Sequence, residues 1–359
     1  MTKFGLAIQT MFAELMQRCL DAEFDETYDE RGSFVKRKRD SRMYWYYRQR
    51  HGGAIREVYV GPVTDKSISD RVRRFSEIKN DYKQRREMVR ALAAAGLPEP
   101  DATTGDLAEG LWKAGFFRLR GVLVGTVAYQ CYSGLLGARL PQQSLMTHDL
   151  DAAQFYSISH AIGESIPPID GLLRQVDPTF RALPDRTDPA RVWRFRNKDG
   201  YLVEFLTPNR GSDEYDARPA EMPALGGASA RTLRHLDFLI HRPTRSVMLH
   251  KAGIPVTVPT PWRYAIHKLM IAGERPEEEK TEKDMVQAEQ LTVACLDARR
   301  AYDLREAWDE ARQRGPRWKE KLDRGVAALQ PDVRARFEEE MAKLPAAEPR
   351  RRRSSHEKP

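Results

Sequence analysis

Cysteine and long apolar runs are both scarce in this chain of 359 residues. The three cysteines, Cys19, Cys131 and Cys295, are far apart and fall in no paired metal-ligand spacing, so neither a disulfide framework nor a zinc site is indicated. No stretch is long and apolar enough to cross a bilayer. Glu14 and Arg18 interrupt the first apolar stripe, which argues against a signal-peptide core. We therefore expect a cytoplasmic protein with no membrane partner.

Acidic residues are the minority among the charged ones, with 52 Asp and Glu against 60 Lys and Arg and a formal net charge of +8. Nine of the basic residues lie between positions 31 and 60, where only Asp40 and Glu57 oppose them. A hydrophobic content of 41% lets the chain bury a sizeable core in two or three domains. The basic excess suggests a polyanionic partner, although a nearly balanced surface gives such an excess as well.

The segment 32–62 alternates aromatic or branched residues with basic ones around the turn His51-Gly52-Gly53, which predicts a small hairpin-based sheet. Arginines are interleaved with the four aromatic residues Tyr44, Trp45, Tyr46 and Tyr47. Aromatic rings stack on exposed bases while cations neutralise phosphates. Residues 36–50 are therefore predicted to contact nucleic acid; the alternative is a half-buried sheet with a solvated basic face.

A predicted strand from Gly121 to Val124 runs into Gly125-Thr126, which opens an apolar helix. Backbone N–H groups at such a helix start can face an anion, and glycine lets the backbone approach a phosphate closely. The same turn connects elements in many α/β proteins without binding anything. Only its position ahead of a group of acidic residues favours the functional interpretation.

Three carboxylates follow that turn in apolar, strand-like surroundings. Asp149 and Asp151 lie two residues apart in THDLDAA, so both project to one side of a strand. Glu204 lies on the second arm of a hairpin whose turn is Lys198-Asp199-Gly200. Three such carboxylates can hold two Mg²⁺ ions roughly 4 Å apart, the arrangement that stabilises both oxygens of an in-line displacement.

Each acid also has a structural interpretation. An acidic pair spaced by one residue arises often by chance in so charged a chain, and it can mark a solvent-facing strand edge. Glu204 breaks an apolar face, and a buried carboxylate needs a cation or a metal. A salt bridge to Arg194 or Arg196 would satisfy it without any catalytic role.

These motifs resemble the DNA polymerase β-like nucleotidyltransferase superfamily, and in particular bacterial proteins related to abortive-infection nucleotidyltransferase toxins. The resemblance extends from about Arg118 to Leu291, with Thr126 standing where the superfamily pattern has Gly or Ser. It implies that Asp149 and Asp151 bind catalytic metals and the triphosphate, and that Glu204 helps the metal that activates the acceptor hydroxyl. It also implies Mg²⁺ or Mn²⁺ as cofactor, an NTP as substrate and a nucleotide contact by Gly125 and Thr126.

The segment PTPWRYAIHKLMIAGER extends the resemblance, because related toxins place a helix lysine near the nucleotide and Lys268 matches it. Thr260 and Pro261 predict the start of this helix. Lys268 lies among apolar neighbours, where it either reaches phosphates or extends its charged end to solvent. The adjacent His267 is more typical of a core or surface histidine than of a catalytic base.

The expected fold is α+β, with a polymerase β-like nucleotidyltransferase core, an N-terminal basic β-rich module and a C-terminal helical region. Ahead of the core, a loop from Pro98 to Thr104 and a helix from Asp106 to Ala114 are expected. The predicted divisions are an N-terminal helix (1–31), a small basic β-sheet module (32–64), a helical linker region (65–116), the nucleotidyltransferase core (117–275), a C-terminal helical region (276–345) and a disordered basic tail (346–359).

The function predicted from these features is Mg²⁺-dependent transfer of a nucleoside monophosphate from an NTP to RNA or protein by two-metal phosphoryl transfer. Two other classes remain open. The chain could retain the nucleotidyltransferase fold without catalysis and act as a nucleic-acid-binding protein or as a protein that pairs with an antitoxin. An Asp-x-Asp strand can also hold one metal on a sugar-nucleotide diphosphate in glycosyl transfer, although the third acid and the glycine turn argue against it.

Overall fold

The computed structural model describes residues 2–21, 32–39, 42–51, 54–141, 148–209, 219–272 and 278–345. Within these ranges the protein is α+β, as expected. None of the described helices combines the length and the apolar character needed to span a bilayer. The domain limits expected from the sequence stay predictions, and the tail 346–359, expected to be disordered, lies outside the described residues.

The N-terminal part combines two helices with a three-stranded antiparallel sheet in the order β1-β2-β3. Its elements are α1 (Leu6–Asp21), β1 (Ser33–Arg39), β2 (Arg42–His51), β3 (Ala54–Pro62) and α2 (Lys66–Ala94). The rings of Phe34 and Tyr47 pack on Phe75 of α2, and the Trp45 indole donates to the Ser69 hydroxyl at 3.1 Å. One face of the predicted basic sheet therefore lies on α2.

Helix α1 contributes to a core of its own rather than to the central one. Its residues Phe12 and Leu15 pack in one buried cluster with Val89 and Leu92 of α2 and with Val247. The apolar stripe of α1 recurs at helical spacing, so the helix buries one face and exposes the other.

The central sheet is mixed, with β4-β5-β8-β10-β9 as its main order and β6-β7 attached to β8. Strand β8 pairs in parallel with β5 on one side; on its other edge it pairs antiparallel with β7 and then parallel with β10. The elements of this region are α3 (Ala102–Lys113), β4 (Val122–Val124), α4 (Gly125–Gln130), α5 (Tyr132–Leu136), β5 (Asp149–Ala153), α6 (Tyr156–Ala161), α7 (Ile169–Val176), β6 (Arg181–Leu183), β7 (Arg194–Arg196), β8 (Leu202–Pro208), β9 (Ala220–Glu221), β10 (Ser229–Leu233) and α8 (Leu236–Leu239).

Helices follow the sheet after a two-stranded hairpin, and they confirm the predicted helical C-terminal region. These elements are β11 (Thr244–Met248), β12 (Ile254–Val258), α9 (Pro261–Ile271), α10 (Glu278–Asp297), α11 (Ala301–Arg312), α12 (Pro316–Ala327) and α13 (Pro331–Lys343). Proline occupies the start of α9, α12 and α13, where its missing N–H costs no helical hydrogen bond. The largest buried cluster joins the central sheet to these helices.

Helix α3 begins at Ala102, before the expected start at Asp106. The predicted loop over 98–104 was therefore wrong at its C-terminal end. Asp101 is the N-cap residue, and its carboxylate accepts from the Thr104 backbone N–H at 2.9 Å. This bond satisfies one of the four N–H groups that a helix start leaves without a partner. The Thr104 side chain also contacts Tyr201, directly before β8, so the start of α3 lies next to the sheet.

Candidate active site

The strand register brings the predicted acids to one face of the central sheet. Asp151 of β5 is directly opposite Glu204 of β8, and Asp149 is opposite Leu202. Residues in register, and residues two apart along a strand, share a face of the sheet. Leu150 and Val203, on the other face, are fully buried, while the three acids are partly exposed. The acids therefore line an accessible face over the apolar core.

Gly125 adjoins this acidic group because β4 pairs with β5, with Val124 opposite Asp151. Its φ of +62° is left-handed, and a Cβ atom placed there would lie 2.4 Å from Oδ2 of Asp151. The Tyr264 hydroxyl donates to the Gly125 carbonyl at 3.0 Å, which ties the turn to α9. Thr126 is the second residue of α4, half-buried beside the turn. Glycine is required here for two reasons: the backbone conformation and the close carboxylate.

We expect Gly125→Ala to lower the nucleotidyl-transfer activity predicted from the sequence at least about tenfold, because small misplacements of catalytic groups are costly, and to destabilise the fold by about 1–2 kcal/mol. A left-handed conformation costs an L-residue about that much, and the added Cβ displaces the Asp151 carboxylate. Urea unfolding and initial rates of transfer measure the two effects. Gly171→Ala in α7 is the matched control, because φ is not left-handed there and a Cβ meets nothing within 4 Å. Equal activity of both variants would contradict the proposed role of the turn.

Tyr201, directly before β8, contacts α3, and sequence reasoning missed this residue. Its hydroxyl and the Thr104 hydroxyl lie 2.5 Å apart, and Thr104 donates onward to Asp101. Burial raises the pKa of the Tyr201 phenol, and the negative charges of Asp101, Asp149 and Asp151 raise it further. The phenol therefore stays protonated beside the acids and serves as a hydrogen-bond donor. The signal for this residue in the sequence was its position next to the hairpin turn that ends at Gly200.

Arginines flank the acids on the same face of the sheet. Arg194 of β7 is opposite Glu204, and Arg231 of β10 is opposite Leu206. Their guanidinium carbons lie 5.1 and 5.3 Å from the centre of the Trp193 ring. A structural role for Glu204 would need a salt bridge to Arg194 or Arg196. The register places Arg194 opposite Glu204, whereas Arg196 is opposite Leu202. Arg231 was not singled out from the sequence, because its place beside β8 depends on a pairing between distant strands.

Lys268 lies in a buried ion pair with Asp284 of α10, and the two side chains are 9% and 5% exposed. Its Nζ atom is 5.3 Å from the centre of the Tyr264 ring, whose hydroxyl contacts the Gly125 turn. The structural alternative, in which this charged end extends to solvent, is wrong. The predicted contact with the nucleotide stays a prediction. His267 is buried as well.

A geometric group of metal-binding side chains occurs at a different place from the predicted one. Asp106, Glu109 and His250 each offer a ligand atom, all within 4.8 Å of one another, so they could hold a divalent ion. In the part of the chain that the structure describes, the carboxylates of the predicted acids do not meet this criterion. Lys251 donates to both Asp106 and Glu109, so its ammonium group already offsets negative charge in the group formed by Asp106, Glu109 and His250.

This ion-pair cluster predicts a pH-dependent contribution to stability. Burial would raise the pKa of Asp106 and of Glu109, but hydrogen bonds from Lys251, joined by His250 at Asp106 and by Lys113 at Glu109, outweigh it. Both carboxyl pKa values therefore lie below their ordinary range. Groups with lowered pKa values stabilise the fold above about pH 4 and lose that contribution as the pH falls through the folded-state pKa.

We therefore expect Lys251→Met to lower the free energy of unfolding more at pH 7 than at pH 3. Urea unfolding at both pH values measures this difference. Lys319→Met, at an exposed position of α12, is the control and should show no such dependence. A destabilisation by Lys251→Met that is unchanged at pH 3 would contradict the cluster's role.

A comparison with protein families identifies the region that contains the acidic face. A family model described as nucleotidyltransferase matches residues 102–313, which is more than half of the chain. The matched region runs from the start of α3 to the end of α11, and the basic sheet β1–β3 lies outside it. No curated protein sequence and no solved structure matches the chain. The family match shows that this chain belongs to a nucleotidyltransferase family.

Proposed function

We propose that this protein transfers a nucleoside monophosphate from an NTP to RNA or protein and releases pyrophosphate. In this proposal it acts in the cytoplasm and belongs to the polymerase β-like superfamily, among the relatives of abortive-infection toxins. The observation that carries the proposal is the register of Asp151 with Glu204 beside the Gly125 turn, inside the family-matched region. Two carboxylates directly opposite each other repel. A cation between them removes that cost.

The donor set fits a hard divalent cation. Mg²⁺ and Mn²⁺ prefer carboxylate oxygens, and all three side chains proposed as ligands, Asp149, Asp151 and Glu204, are carboxylates. A Cβ at Gly125 would intrude on Asp151, so the absent side chain keeps space open at the carboxylate. The ion, when bound, would neutralise charge on the phosphates and lower the pKa of the attacking hydroxyl.

The remaining residues position the substrate in this proposal. Gly125 and Thr126 allow the phosphates to approach Asp151 closely. Arg194 and Arg231 lie on the same face as the acids, where two cations can hold the anionic part of the nucleotide or acceptor. Lys268, whose Nζ lies 5.3 Å from the centre of the Tyr264 ring, contributes positive charge to the nucleotide site in this proposal. Because phosphoryl transfer depends mainly on positioning and charge neutralisation, the protein need not supply a separate base.

The test incubates the purified full-length protein with each α-labelled NTP, Mg²⁺, and either total bacterial RNA or total bacterial protein. We expect label from one nucleotide in one acceptor fraction, pyrophosphate in equal amount, and no transfer when EDTA removes the metal. Labelled UDP-sugars should give no product, since family membership favours nucleotidyl over glycosyl transfer. Absence of label in every fraction, including the protein itself, would refute catalysis.

One observation favours a second function beside catalysis. The basic sheet lies outside the family-matched region and packs on its own helix, α2. The hypothesis of a nucleic-acid-binding or antitoxin-pairing protein that retains the fold predicts that substitutions of Arg37 and Arg39 matter more than substitutions of Asp149. In that case Arg37→Gln would change the protein's effect on survival of the bacterium, while Asp149→Asn would leave that effect unchanged. A survival assay in the producing bacterium separates these outcomes.

A further inference from the structure

The outer face of the sheet β1–β3 carries three tyrosines in contact. The ring centres of Tyr44 and Tyr59 are 5.8 Å apart, and those of Tyr46 and Tyr59 are 5.6 Å apart. Tyr59 is 54% exposed, and the other two are partly exposed. We call these residues the tyrosine face. Contiguous exposed aromatic groups mark interaction sites more often than single exposed groups do.

The register explains why these rings point away from α2. Tyr46 is opposite Val35 on one side and Tyr59 on the other, whereas its neighbour Tyr47 is opposite Phe34 and Val58. Successive side chains of a strand point to opposite faces. Phe34 and Tyr47 pack on Phe75 of α2. The set containing Tyr46 and Tyr59 therefore lies on the other side of the sheet.

Three cations, Arg37, Arg42 and Arg48, share the tyrosine face, and Glu57 is the single carboxylate that opposes them among the described side chains of the three strands. Lys36, Lys38 and Arg56 lie on the other face, where Nζ of Lys36 is 4.9 Å from the centre of the Trp45 ring. Glu57 accepts from Nε of Arg37 at 3.1 Å across the sheet. The hydrogen bond from Arg37, and to a lesser extent the charge of Arg48, keeps the pKa of Glu57 below its ordinary value. The sheet is thus strongly electropositive around a central aromatic surface.

We propose that the tyrosine face binds single-stranded nucleic acid, with bases stacked on Tyr44, Tyr46 and Tyr59 and phosphates on the surrounding cations. A duplex hides the faces of its bases, so aromatic side chains can stack only on an unpaired strand. An acidic peptide would satisfy the cations but would leave the rings without planar partners. Binding here deepens the nucleic-acid alternative above and does not depend on catalysis at Asp151.

The test measures fluorescence anisotropy of a labelled oligouridine and an oligothymidine of about 12 nucleotides, a duplex of equal length, and polyglutamate. We expect the full-length protein to bind the single strands most tightly. Tyr59→Leu and Tyr44→Leu should each weaken that binding roughly 5- to 150-fold, the loss that one stacked base produces. Tyr302→Leu is the matched control, because Tyr302 is 63% exposed on α11, outside the sheet.

Charge variants separate stacking from electrostatic attraction. Arg42→Gln should weaken binding to single strands and duplex alike and make the affinity less dependent on salt. Glu57→Gln should strengthen binding, because it removes the opposing carboxylate. Asp151→Asn should bind the single strand like wild type, so a failure of nucleotidyl transfer and a failure of this proposal give different results.

Two results would overturn the proposal. One is an affinity for single strands that is unchanged in Tyr44→Leu and Tyr59→Leu, shown by circular dichroism to be folded. The other is equally tight binding of duplex or polyglutamate, which would make the face a general polyanion surface. If both leucine variants fail to fold, Tyr59→Phe, which keeps a ring that can stack, must retain affinity while Tyr59→Thr, which keeps a strand-forming residue, loses it.

Discussion

Asp151→Asn is expected to reduce nucleotidyl transfer by about 1,000-fold, since a bound metal contributes several kcal/mol and about 1.4 kcal/mol corresponds to a factor of ten. The substitution removes the charge and keeps the volume of a side chain that lies between the Gly125 turn and Glu204. Because Asp151 and Glu204 are directly opposite each other, the variant should be as stable as wild type or slightly more stable. Initial rates with labelled NTP and urea unfolding measure the two effects.

Metal binding gives a readout that is independent of catalysis. Mg²⁺ should raise the melting temperature of the wild type, because a ligand of the folded state stabilises it by mass action, and EDTA should reverse the shift. Asp151→Asn should lose most of this shift. Asp170→Asn on α7 is the matched control, because that exposed carboxylate pairs with Arg174 within its helix. Full activity of Asp151→Asn, or an equal loss in Asp170→Asn, would refute the proposed site.

Lys268→Met is expected to lower the free energy of unfolding by about 3–5 kcal/mol, the cost of leaving one charge of a buried ion pair uncompensated. Asp284 is the charge left behind, and its side chain is 5% exposed. The double variant Lys268→Met with Asp284→Leu should recover most of the stability, because apolar residues of similar volume replace a buried pair at little cost. Chemical unfolding of all three proteins measures this.

Two further measurements define the role of Lys268. Lys343→Met removes an exposed pair with Glu339, which solvent screens, so this variant should be nearly as stable as wild type. A similar small loss for Lys268→Met would contradict the buried-pair interpretation. NTP affinity of the folded double variant then tests the nucleotide contact. Affinity equal to wild type would assign Lys268 to the core alone, whereas a loss would retain it in the nucleotide site.

The local patterns in the sequence predicted strands and helices well where apolar periodicity was clear. The hairpin of β7 and β8 around Gly200 and the basic sheet are both present as expected. The start of α3 was predicted four residues too late, because the N-cap residue Asp101 begins the helix at Ala102 rather than at Asp106. Caps are short-range features that apolar periodicity does not register.

The candidate site could be predicted only in part. Two acids in one strand share a face by covalent geometry, so Asp149 and Asp151 followed from the sequence directly. The neighbourhood of Glu204 depended on parallel pairing across about 50 residues of chain, and the place of Arg231 depended on another such pairing. Periodicity gives the face on which a side chain lies but not which strand is its neighbour.

By itself the sequence determined the classes of residue available: carboxylates beside a glycine turn, a basic aromatic segment, and an apolar helix that contains one lysine. The tertiary structure decided which of these meet. It placed Asp151 between Gly125 and Glu204, paired Lys268 with Asp284 in the core, and put Tyr44, Tyr46 and Tyr59 on the face of their sheet away from α2. The physical reason is that strand pairing and burial are settled by long-range packing, which lowers the free energy only when the whole core forms.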